Sequence, residues 1–233
     1  MRPGMMPPDF GGVKYSPSDK LKFCYFGGLT PERNLGLLTD ALSRLLKKRP
    51  ELSSVLEVHQ YGGKMDKISQ EGFKQLPDSI LVPHGRLETD PVTSKSGRQR
   101  VLEQMRKSDV LILMHGQGEI CQLYLPSKIY EYLWAQRPVL LFSAVPTHWD
   151  DILDSSNHYI IDQTDPIAID EALNRLVADW EKAKLFDRPI SQAHSVETAV
   201  TLLLKHARSF DPKAHQLIAK VDHSLANYFE SLV

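Results

Sequence analysis

The stretch "LYLPSKIYEYL", residues 123–133, joins residue types that could do chemistry. Pro126 stiffens a turn, Ser127 is suited to cap a helix, and Lys128 adds a cation at the same end. Unpaired N–H groups at a helix start favour an anion such as phosphate. Glu131 follows one turn later, and its carboxylate could accept two hydrogen bonds from a vicinal diol such as a ribose. A plainer reading is open beside this one: Ser127 caps, and Lys128 and Glu131 are solvated.

The elements that would position these residues can be read from hydrophobic patterning. "LKFCYFGG", "VLEVHQYGG", "ILVPHGRL", "DVLILMHGQG", "PVLLFSAVP" and "HYIIDQ" read as strands. Between them "LGLLTDALSRLLKKRPEL", "GRQRVLEQMRKS", "PSKIYEYLWAQ", "HWDDILDSS" and "PIAIDEALNRLVADWEKA" carry helical spacing. Alternation of this kind, with strands apolar throughout, predicts an α/β fold: an open, Rossmann-like parallel sheet with helices on both faces. Such sheets bind ligands at the carboxyl ends of their strands. Those ends carry Gly27-Gly28, Gly62-Gly63, Gly85-Arg86, the run His115-Gly116-Gln117-Gly118-Glu119, and Ser143. Glycine permits close backbone approach at most of them.

Composition narrows the partners. The 233 residues are 42% hydrophobic and 24% charged, with a formal charge of -1, which argues against a broad nucleic-acid-binding surface. Cys24 and Cys121 lie in or beside apolar runs and read as free thiols of a reducing compartment. His59, His84 and His148 form no metal motif, so no metal and no cofactor is expected. Residues 1–20 are rich in Pro and Gly and read as a linker or a trimmed edge. Residues 21–190 read as the ligand-binding domain, and 191–233 as helices that pack on its edge or reach another domain.

At this point "PSKIYEYLWAQRPVLLF" resembles the P-S-K-x-x-E-Y-x-A-x-x-x-P-V-L pattern in C-terminal domains of retaining, two-domain, B-type-fold glycosyltransferases. The resemblance runs from about Leu21 to Leu176. "FCYFGGLTPERNLGLLTDAL" is similar to that family's first strand, turn and helix, "ILVPHGRL" to its V-x-x-x-G-x-V segment, and "SDVLILMHG" to its A-D-V-x-L-x-P strand. The resemblance implies half of a B-type fold that binds a nucleotide-sugar donor, UDP- or GDP-linked, for transfer of a hexosyl-type group in glycan or polysaccharide synthesis. It implies an N-terminal acceptor-binding domain as partner, and a cytoplasmic location at the inner face of the membrane, with peripheral association through that domain.

By the same resemblance Glu131 takes the ribose hydroxyls and Arg33 grips the diphosphate. Ser127 and Lys128 face the phosphates, Gly27 and Gly28 belong to the same nucleotide site, Gly85, Arg86 and Leu87 flank the nucleobase, and His115, Gly116, Gly118 and Glu119 meet the donor sugar. No catalytic side chain is assigned. Two positions depart from the pattern. The family's first-turn arginine aligns with Gly28, and its second glutamate, eight residues before Glu131, aligns with Leu123, leaving Glu119 as the nearest substitute. A non-catalytic binding or scaffold module and a nucleotide-sugar epimerase-like protein are the alternatives.

Overall fold

The structure is a computed structural model and describes residues 6–116, 125–149, 152–189 and 195–210. The chain divides into two compact units, Pro8–Ile190 and a smaller one of Met1–Pro7 with Ser191–Val233. The larger holds a six-stranded sheet, all parallel, in the order β3-β2-β1-β4-β5-β6. Its strands are β1 (Leu21–Phe26), β2 (Leu56–Tyr61), β3 (Leu81–Gly85), β4 (Val110–Met114), β5 (Val139–Ser143) and β6 (Tyr159–Asp162). This is the doubly wound order, with the reversal of winding between β1 and β4.

Burial follows from that order. β4 and β5 lie inside the sheet, so all ten of their residues are buried and their sequences are apolar without alternation. β3 is an edge strand, where Pro83 costs no ladder bond in the sheet interior. The register shifts beside it, between Gln60 and Tyr61. Alternate side chains of each strand go to opposite faces. One face sets Phe23, Tyr25, Ile112, Leu140 and Phe142 against α1 (Gly36–Lys48) and α5 (Pro166–Glu181), which bring Leu38, Leu42, Leu173 and Leu176. The other face is covered by α3 (Gly97–Lys107) and α4 (Lys128–Trp134): Tyr132 meets Phe26 edge-on at 6.4 Å and donates to Ile112 O, and Tyr61 donates to Gln104.

Several expectations are corrected. A helix that the sequence pattern did not signal, α2 (Lys67–Phe73), joins β2 to β3; Asp66 caps it by accepting from Ser69 N at 3.1 Å. Only a 3₁₀ turn, Pro146–Trp149, stands at the start of the expected "HWDDILDSS" helix, and residues 150 and 151 lie outside the described residues. Residues 8–20 are no free linker. The Tyr15 ring lies 3.4 Å from the Arg137 guanidinium, its hydroxyl donates to Asp109, and Asp9 O accepts from Gln99. Arg137 is fully buried and also donates to Ser108 O, Leu185 O and Asp187. That network gives the N-terminal segment an ordered charge to cover, which its Pro and Gly content conceals.

In the smaller unit α6 (Val196–Phe210) is capped by Ser195, whose Oγ accepts from Thr198 N at 3.1 Å. The expected helix after it lies outside the described residues. Among the described residues no helix is long and apolar enough to cross a membrane.

Candidate functional site

The carboxyl ends of β1, β2 and β3 are tied together beyond their last strand residues. Gly27 N donates to Tyr61 O, and Gly62 N donates to Gly85 O, each at 2.8 Å. Both glycines are required by geometry. Gly27 has φ +125°, and a Cβ there would stand 2.5 Å from Lys128 Nζ. Gly62 has φ +146°, and its Cβ would collide with the carbonyl of Gly27. Two strand ends therefore meet backbone to backbone, directly beneath the start of α4.

Above them is a cleft of about 420 Å³, open to solvent. Phe26 and Gly27 end β1 at its floor, Tyr61 and Gly62 end β2, residues 86–89 follow β3, and Arg98, Lys128 and Glu131 come from α3 and α4. Phe26 and Tyr61 stack at 4.7 Å, and Tyr61 stacks on His84 at 4.1 Å, a rigid aromatic run along the strand ends. Glu131 is mostly covered, with a side-chain exposure of 16%, and accepts from Arg98 Nη2 at 2.8 Å. Lys128 Nζ donates to Phe26 O. Loss of water around this ammonium pushes its pKa down from the ordinary lysine value to about 8; the negative charge of Glu131 opposes the shift, and the positive charge of Arg33 adds to it.

Lys128 also lines a second cleft, of about 470 Å³, at the β1/β4 switch point. Tyr25, Arg33, Met114, Pro126 and Ser127 share it. Arg33 is exposed and stands on a tight turn whose Thr30 and Arg33 exchange backbone hydrogen bonds at 3.0 and 3.2 Å. Tyr25 OH holds the adjoining loop by donating to Gly28 O at 2.9 Å. One cleft thus offers a carboxylate beside an aromatic run, and the other offers two cations at the point where open parallel sheets bind ligands. The chemistry suits a nucleoside in the first and an anion such as a diphosphate in the second.

Of the residues singled out by sequence, Gly27, Arg86, Leu87, Lys128 and Glu131 meet in the first cleft, and Arg33, Ser127 and Lys128 in the second. Ser127 makes no side-chain cap. Its backbone is already helical (φ −54°, ψ −26°), and the first turn closes through Ile129 N on Pro126 O. Gly85 lends its carbonyl to Gly62, and Gly28 lines neither cleft. His115 is buried, edge-on to Trp149 at 5.2 Å and 3.5 Å from Ser143 Oγ, and Gly116 is buried beside it. Gly118 and Glu119 lie outside the described residues, as does Leu123. Sequence reasoning missed Arg98, Phe26 and Tyr61. A signal for Arg98 existed: α3 begins "GRQR" with no acid in its first turn, against the preference of a helix dipole.

No protein-family model matches the chain, and no curated protein does. Solved structures do. An α,α-trehalose 6-phosphate synthase from Burkholderia multivorans is similar with TM-score 0.53 at 13% identity, over 84% of this chain and 44% of that one. The pneumococcal O-GlcNAc transferase GtfA, in complex with UDP and GlcNAc, gives 0.52 at 16% identity, over 91% and 38%. TarM gives 0.50 at 20%, over 83% and 36%. The fold is similar to the Rossmann-like half of these two-domain, B-type structures. The chain spans less than half the length of each of these enzymes.

Proposed function

We propose that this chain is the nucleotide-sugar donor-binding domain of a retaining glycosyltransferase that moves a hexosyl-type group. The observation that carries the reading is the placement of Lys128 between two clefts at the switch point, with Glu131 on one side and Arg33 on the other. In this reading Glu131 takes the ribose hydroxyls, the residues 86–89 flank the base, and Arg33 and Lys128 receive the diphosphate. Stabilising the departing diphosphate is then an electrostatic task for these two cations, and no side-chain nucleophile is needed. Donor and leaving nucleotide are substrate and product, so the reading includes no metal. The acceptor would be held by an N-terminal domain, in keeping with the partial coverage of the similar enzymes. We place the enzyme in the cytoplasm, with a UDP- or GDP-linked donor and a role in polysaccharide synthesis.

Calorimetric titration with UDP, GDP and their hexose conjugates tests this. Glu131→Ala and Arg33→Ala should each weaken binding about tenfold or more, since charge-assisted contacts contribute about 1.5–3 kcal/mol. A second reading, a non-catalytic nucleotide-binding module, is favoured by Gly28 standing where the family pattern has arginine. Hydrolysis or transfer of a bound sugar once an acceptor domain is supplied separates the two. Wild-type chain that binds no nucleotide at millimolar ligand refutes both.

A further inference from the structure

We propose that Arg98 is the positioning residue for Glu131 and thereby sets a preference for a ribose diol over a 2′,3′-dideoxy sugar in the bound nucleotide; this rests on the nucleotide reading of the cleft. The first turn of α3 reaches both walls. Gly97 lies so close to the Leu87 carbonyl that a Cβ would collide with it, and Arg100 Nη1 donates to Glu88 O at 2.7 Å. Arg98, between them, donates to Glu131 Oε1 at 2.8 Å. One helical turn therefore fixes the 86–89 wall and the facing carboxylate together.

Stability does not explain the arrangement. Arg98 is half exposed, at 53%, and an ion pair so wetted adds little to folding. Two arginines at a helix start also oppose the helix dipole. Lys128, the cation on Glu131's own helix, is turned to Phe26 O instead. What Arg98 does is hold a flexible carboxylate in its cleft-facing position with a single donor. A carboxylate has about four lone-pair sites. One donor on Oε1 leaves Oε2 and the second lone pair of Oε1 for the two hydroxyls of a vicinal diol. With the side chain already held, binding the diol carries a smaller ordering cost.

The test is calorimetry on the full chain with whichever of UDP and GDP it binds more tightly, beside the 2′,3′-dideoxy form of the same nucleotide. Arg98→Ala should weaken the ribonucleotide about three- to tenfold and leave the dideoxy form unchanged. Arg98→Lys should recover part of the loss, and in a Glu131→Ala background, which removes the acceptor, Arg98→Ala should change nothing. The dideoxy affinity reports that the variant is folded. Equal weakening of both nucleotides would make Arg98 a phosphate or base contact and overturn the inference. Tighter ribonucleotide binding by Arg98→Ala would also overturn it, since Arg98 would then compete with the ribose. Wild-type chain that binds neither nucleotide overturns the nucleotide reading itself, and this inference with it.

Discussion

Raising pH through the Lys128 titration should release nucleotide. With its pKa pushed down to about 8, Lys128 is mostly a cation below that pH and mostly neutral above it. A diphosphate beside the ammonium favours the charged form, so the bound state keeps its proton to higher pH and binding takes up protons near pH 8. The protonated share of the free chain is about three-quarters at pH 7.5 and about one-eleventh at pH 9, so affinity should fall about eightfold over that interval. At pH 8 itself, binding should take up about half a proton, read by titrating in two buffers of different ionisation enthalpy. Lys128→Arg keeps its charge throughout and should show neither effect, which cancels any titration of the nucleotide. Equal pH profiles for the wild type and Lys128→Arg, with no proton uptake at pH 8, would refute the placement of the diphosphate at Lys128.

Three further outcomes concern the frame that holds the clefts. Gly62→Ala should destabilise by about 1–3 kcal/mol in denaturant unfolding, because its φ of +146° and the Gly27 carbonyl leave no room for a Cβ; Gly63→Ala, facing open space, should be nearly neutral. Arg137→Met should cost about 3 kcal/mol by the same measurement, since Ser108 O and Leu185 O lose their buried donor and Tyr15 its cation. His158, pushed down to about 4 mainly by burial, accepts from Val139 N in its neutral form. The unfolded chain binds the proton from about pH 6.5, so about 3 kcal/mol of stability should be lost as pH falls from 6.5 to 4. His158→Asn, which still offers an acceptor, should flatten that part of the profile.

The sheet was legible because its strands announce themselves. "VLILM" and "VLLFS" are apolar at every position, which a strand inside a parallel sheet requires and an amphipathic helix does not. α2 was not legible: seven residues with Ile68 and Phe73 as their large apolar side chains make no stripe, and Gly72, pressed against Thr39, reads as a turn. Within the site, Lys128 and Glu131 could be found locally because they lie three positions apart on one helix. Their setting could not. The Arg98–Glu131 pair joins residues 33 apart, and the Phe26–Tyr61 stack depends on β1 and β2 ending side by side. Ser127 has the residue type of a cap, but its own backbone is already helical and Ile129 N closes the first turn on Pro126 O.

In the proposed reading a nucleoside diphosphate occupies the clefts on either side of Lys128. Backbone amide shifts of the isotope-labelled chain, followed by NMR on titration with UDP and then GDP, test it most directly. Shifts should gather at Gly27, Arg33, Tyr61, Gly62, residues 86–89, Arg98 and residues 127–131, with α5 and β6 unmoved. Shifts confined to surfaces away from those residues, or none at saturating nucleotide, would contradict it.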